Sequence, residues 1–246
     1  MSQYEVTVVP HTHWDREWYQ PFAVFQARLV ETVDEVLDLL EEREDFTHFM
    51  LDGQAVVLED YLAVKPWAQE RLERLVRAGR LAIGPWYTLP DEFLASPEAL
   101  VRNLLLGIQE CGRLGEPMSV VYTPDSFGHI SQLPRLAAGF GFDSLVFERG
   151  VGDEGEELGS EFRWYSADGN RSVLALHLIT TYSSGAGLGY RDWSRYEGYE
   201  SGRAVQHARK ALFGGEERIG MEAWLDESLA RIEGGAAAYA TGQHLL

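Results

Sequence analysis

The chain has 246 residues, 45% hydrophobic and 12% aromatic, enough for one large domain with a full core or two small ones. Its formal charge of −18, from 39 acidic against 21 basic residues, repels phosphate backbones and argues against a nucleic-acid partner. The single cysteine, Cys111, excludes an internal disulfide; no signal-peptide pattern opens the chain and no apolar run nears the roughly 18 residues of a membrane helix, so a soluble cytoplasmic protein is expected.

The first strand, "YEVTVVPHTH", runs into "HTHWD". On an extended chain side chains alternate faces, so His11, His13 and Asp15 point one way and Thr12 and Trp14 the other. "FAVFQARLVETVDEVLDLLEER" places Phe25, Leu29, Val33, Val36, Leu37 and Leu40 at helical spacing. "THFMLDG" reads as a second strand ending at Asp52. "AVVLEDYLAV" and "PWAQERLERLVRAGR" read as helices, with Pro66 in a first turn and Gly79 as a C-cap. The third strand, "LAIGPWYTLPDEF", ends near Asp91 and Glu92. Ser96 caps a helix that Pro97 opens, "PEALVRNLLLGIQECGRL".

"MSVVYTPDSFGH" is a fourth strand ending at Asp125, with Gly128 permitting a sharp turn. "QLPRLAAGF" is a short helix and "DSLVFERG" a fifth strand ending at Glu148 and Arg149. "EFRWYSADGNRSVLALHLITTY" reads as a hairpin about "ADGN". A glycine-rich loop, "SSGAGLGY", and two helices, "GRAVQHARKALFGG" and "MEAWLDESLARIEGG", follow. "AYATGQHLL" reads like the start of another strand, which suggests a truncation point. Strand–helix alternation argues a parallel α/β sheet or β/α barrel. Active sites assemble at the C-terminal ends of parallel strands. His13, Asp15, Asp52, Asp91, Asp125 and Arg149 all fall at such ends.

Two imidazoles and a carboxylate suit a divalent metal, but a further ligand must come from another strand. Asp91 and Glu92 are adjacent and face opposite ways on a strand. A carboxylate pair for glycoside chemistry would therefore come from different strands. An acidic cluster before a helix N-terminus explains them equally well. His129 reads as a capping or surface residue, His177 as open between rim and core, and Cys111 as a buried structural thiol. Aromatic residues crowd these segments, and most belong to the core; Trp18 is the one expected in the site, where a sugar face could stack.

Taken together, "PHTHWDREWY", "LDGQAVVLEDYLAVKP", "AGRLAIGPWYTLPDE", "VRNLLLG", "GEPM" and "YTPDSFGHISQLP" resemble the N-terminal catalytic domain of the family 38 glycoside hydrolases, the retaining α-mannosidases. The bacterial branch, which includes mannosylglycerate hydrolases, is the nearest in pattern. The resemblance spans roughly residues 5 to 180. It implies a seven-stranded parallel β/α barrel over residues 1–246, incomplete at the C-terminus, and one zinc ion. His13 and Asp15 match the family's first zinc ligands. Asp91 matches the nucleophile, which also touches zinc. Trp18 matches an aromatic that stacks on mannose, and Phe93 and Asp125 match pocket positions. His11 then orients a ligand or touches substrate. The implied substrate is a terminal α-mannoside, with a homo-oligomer compatible.

Two parts of the family's machinery are missing from the match. The second zinc histidine lies further along a longer chain. The general acid belongs to the loop matching "TTYSSGAGLGY", which has no carboxylate; Asp192 follows it. The family's later helical and β domains are absent, which leaves the activity of this chain by itself open. Two other readings compete: an amidohydrolase-type metal hydrolase, which would need His129 or His177 as ligands, and a non-catalytic sugar-binding barrel.

Overall fold

The computed structural model describes residues 5–178, 181–183, 230 and 243–245. Apart from Ala230 and Ser183, the expected helices in 202–235, the loop "SSGAGLGY" and Asp192 lie outside these residues.

Helix α1 (Phe22–Glu42) buries Phe25, Leu29, Val33, Val36, Leu37 and Leu40, the stripe its periodicity predicts. That stripe meets α2 (Val56–Val64), a single 3-10 turn at Pro66–Ala68, and α3 (Gln69–Arg77). Gly79, just past α3, takes φ 70°, the left-handed cap that glycine adopts without steric cost. These helices cover a parallel sheet ordered β2 (His11–Thr12), β3 (Phe49–Leu51), β4 (Leu81–Ile83). Its register sets His11 against Met50 and Leu51 against Ile83.

Helix α4 (Pro97–Gly112) starts as expected: the Ser96 hydroxyl accepts from the Ala99 amide at 3.2 Å, with Pro97 in the first turn. Its buried face is Leu100, Leu104, Gly107 and Cys111. Leu104 joins a second core with Trp86, Val121, Leu133, Leu145, Phe147, Val173 and Ala175. That core lies on the sheet β5 (Val121–Thr123), β6 (Ser144–Phe147), β8 (Ser172–His177), β7 (Glu161–Tyr165). Strands β5, β6 and β8 are parallel, and β7 returns antiparallel on β8 as the expected hairpin. Helix α5 (Leu133–Gly139) links β5 to β6; a short α6 (Glu154–Leu158), which the sequence did not announce, precedes β7. The last strand, β9 (Gln243–Leu245), pairs in parallel with β1 (Glu5–Thr7).

The parallel α/β architecture therefore stands. The described ladders form three sheets of two, three and four strands, and a closed seven-stranded ring is not among them. The strands are also shorter than their apolar runs. Leu81–Ile83 alone is strand in "LAIGPWYTLPDEF", because the following Gly84 takes φ 68° and leaves the ladder.

Candidate active site

Segment 13–15 leaves β2 and is held from β3. Asp52, fully buried just past β3, adopts φ 46°, a left-handed conformation that Asp tolerates through local side-chain bonds. Its Oδ1 accepts from the Gly53 amide at 2.7 Å. Its Oδ2 accepts from the Trp14 amide at 2.9 Å and from Gln54 Nε2 at 2.8 Å. The Trp14 bond places His13 beside Asp52, with Nδ1 3.5 Å from Oδ2.

His13 Nε2 lies 3.7 Å from Asp15 Oδ1 and 3.5 Å from Asp125 Oδ2. Both ring nitrogens are buried and lack a well-formed hydrogen bond. Burial pulls the imidazole down, but the long bond to Asp52 and the charges of Asp52, Asp15 and Asp125 outweigh it, so it stands above its ordinary 6.5. Asp15 is raised: burial pushes it up, His13 pulls it down, and Asp125 and Asp52 push it further up. A tetrahedral ion with bonds of ~2.1 Å sets its ligand atoms roughly 3.4 Å apart, close to the Nε2 separations from Asp15 and Asp125, while Nδ1, on the other side of the ring, faces Asp52. Among the described residues, however, no group of three or more His, Cys, Asp or Glu is arranged to hold a metal ion.

Asp91 does not join this cluster. Its Oδ1 accepts from the Phe127 amide at 3.1 Å. The segment leading to Asp91 is fastened by α4: Asn103 Oδ1 accepts from the Tyr87 and Thr88 amides at 2.9 and 3.0 Å, and Nδ2 donates to Thr88 O at 2.7 Å. Asp125 also takes the Arg149 guanidinium at 2.7 Å. Phe93 is 70% exposed and packs over Gly128, and Trp18 is 69% exposed with its ring 4.7 Å from Tyr19. A cleft of about 400 Å³ opens beside His13 and Asp15, lined further by Arg16, Phe22, Gln54 and Leu89. Trp18 lies outside that lining.

His11 and His13 both flank Tyr182, with ring centroids 6.5 and 5.2 Å from its ring. His11 meets Tyr182 O through Nε2 at 2.7 Å. Glu148 accepts the Tyr182 amide at 2.9 Å. Sequence reasoning missed Tyr182, which neighbours a glycine-rich loop and carries no spacing signal. The two histidines an amidohydrolase would need are engaged elsewhere. His129 meets Glu92 and Arg149 O, and His177 stacks on Phe147 at 5.3 Å.

Carboxylates and one imidazole converge at the ends of parallel strands, where active sites of α/β proteins assemble. Residues 3–221 match the glycosyl hydrolases family 38 N-terminal domain, and the chain belongs to that family. A relative from Halalkalibacterium halodurans named "Putative mannosylglycerate hydrolase" is 39% identical over 189 residues, covering 72% of this chain and 21% of its own. The "Alpha-mannosidase 2C1" of Mus musculus is 28% identical over 153 residues, covering 60% of this chain and 14% of its own. The crystal structure of an alpha-mannosidase from Enterococcus faecalis V583 superposes with a TM-score of 0.78 at 34% identity, covering 99% of this chain and 24% of that one. The chain thus spans about a fifth to a quarter of the length of these bacterial relatives. Among the described residues no helix is long and apolar enough to cross a membrane.

Proposed function

We propose that this chain carries the sugar pocket of a retaining α-mannosidase on a β/α-barrel-type scaffold, with Asp91 as nucleophile. The observation that carries the reading is His13, whose two buried ring nitrogens lack well-formed hydrogen bonds and face Asp15, Asp52 and Asp125, in a member of a mannoside-cleaving family. Asp91 attacks the anomeric carbon as the glycosidic bond breaks; a carboxylic acid outside the described residues protonates the departing oxygen. Water then releases the sugar from Asp91. Asp125, fixed by Arg149, binds sugar hydroxyls, and Trp18 and Phe93 present exposed ring faces for stacking. Of the residues that the family pattern assigns to zinc, His13 and Asp15 stand 3.7 Å apart and would hold it, whereas Asp91 stands outside their cluster on the Phe127 amide. When bound, zinc supplies a positive charge that orients the sugar's hydroxyls.

The test is zinc content and cleavage of an aryl α-mannoside, for this chain and for a longer polypeptide continuing past Leu246. Asp91→Asn should lower kcat by at least about a thousandfold in whichever form is active, with circular dichroism unchanged. Near-normal turnover by that variant removes Asp91 from its role. A longer form that neither binds zinc nor cleaves the mannoside overturns the reading as a whole.

A further inference from the structure

One buried polar pair is left without a task by this mechanism. Glu92 and His129 are both side-chain buried, at 0% and 2% exposure, with His129 Nδ1 2.8 Å from Glu92 Oε1. The other Glu92 oxygen accepts from the Ile130 amide at 2.9 Å. His129 Nε2 faces Arg149 O at 2.9 Å, so that nitrogen carries a proton. The ring is packed edge-on against Phe147 and Trp164. Space for it is cut out of the chain: a Cβ on Gly150 would stand 2.7 Å from His129 Cδ2.

A buried carboxyl–imidazole pair is a poor device for stability alone, since apolar side chains of the same volume are often neutral or better. What this pair supplies is direction. Glu92 is the neighbour of Asp91, and Arg149 grips Asp125. Two of these stretches are tied again where the Ser126 hydroxyl donates to Pro90 O at 2.9 Å and the Phe127 amide donates to Asp91. Asp91 and Glu92 share a turn in which the Leu94 amide donates to Asp91 O at 3.0 Å, so anchoring Glu92 on His129 fixes the short backbone from which Asp91 projects.

We propose that His129 is a positioning residue: through Glu92 it aims Asp91, and through Arg149 O it seats the loop whose guanidinium holds Asp125. The inference rests on reading Asp91 as the nucleophile, but its geometry can be tested without catalysis. The probe is hydrogen exchange of the Phe127 amide, which donates to Asp91.

Glu92→Gln weakens the pair. His129→Phe combined with Glu92→Leu removes it without leaving a buried charge unpaired. In both variants the Phe127 amide should exchange at least about tenfold faster than in the parent, while amides within α1 keep their rates. In the active polypeptide, kcat should fall by at least about tenfold with KM for the aryl mannoside little changed. Folded variants whose Phe127 amide exchanges at the parental rate overturn the proposal, as does a parent in which that amide is unprotected. Loss of Phe127 protection in a protein whose turnover ignores Asp91→Asn would sink the nucleophile assignment and leave the aiming role standing.

Discussion

Gly128 is needed for closeness. The sequence suggested a sharp turn there, but Gly128 is not among the positive-φ glycines; a Cβ on it would stand 2.3 Å from Phe93 Cε2. Phe93 is exposed and can swing away, so Gly128→Ala should cost under about 1 kcal/mol in thermal melts. Kinetics of the active polypeptide should show KM rising by about three- to tenfold, because the displaced ring no longer faces the sugar. An unchanged KM would remove Phe93 from the pocket. At this scale the sequence was informative where chemistry is local. It set His13, Asp52 and Asp125 at strand ends, and the structure brings all three together. Alternation set His11 on the same face as His13, although β2 stops at Thr12, and it was the family pattern that gave His11 a different task. The Glu92–His129 pair was illegible, since its partners are 37 residues apart and no periodicity links them.

Helix α4 is the element through which packing reaches the site. Gly107 lies against backbone: a Cβ there would meet Pro85 O at 2.1 Å, Trp86 C at 2.3 Å and Tyr87 N at 2.4 Å. Alanine in place of glycine favours a helix by about 1 kcal/mol. Overpacking against backbone, which cannot rotate away, costs about 1–3 kcal/mol and sometimes more. The clash wins, so Gly107→Ala should lower the stability measured by urea unfolding. Gly112→Ala, at the end of the same helix with nothing within 4 Å of its Cβ, should be neutral or stabilising by up to about 1 kcal/mol. Equal effects of the two would refute the close approach. Helices were legible because their apolar stripes repeat over several turns, as in α1. Strand ends were not, because an apolar run persists after the backbone has left the ladder, as after Ile83.

Across the whole molecule, acid should destabilise through carboxylates held by cations. Burial raises Asp34, but the Lys65 and Tyr61 bonds outweigh it and hold the group below its ordinary 3.8. Burial likewise raises Glu41, and Arg71 and Arg74 bring it below 4.5. Groups depressed on folding add stability above their unfolded pKa and lose it as pH falls through the folded one. Urea midpoints should therefore drop as pH falls below about 4, and Asp34→Asn should flatten part of that drop. A midpoint indifferent to pH in Asp34→Asn and parent alike would count against these pairs. The parallel α/β plan was legible as strand–helix alternation. Sheet closure was not, because which strand edges meet is decided by long-range packing that no local pattern records.

Cys111 is fully buried, its Sγ 2.5 Å from where a Cβ on Gly84 would stand, and burial foremost pushes its thiol up to about 12. A thiol so placed ignores alkylating reagents until α4 leaves its seat. As the one thiol in 246 residues, it is a built-in timer. Each molecule that opens takes up a single label, and the rate of that mass gain reads how often α4 comes away from the segment after β4.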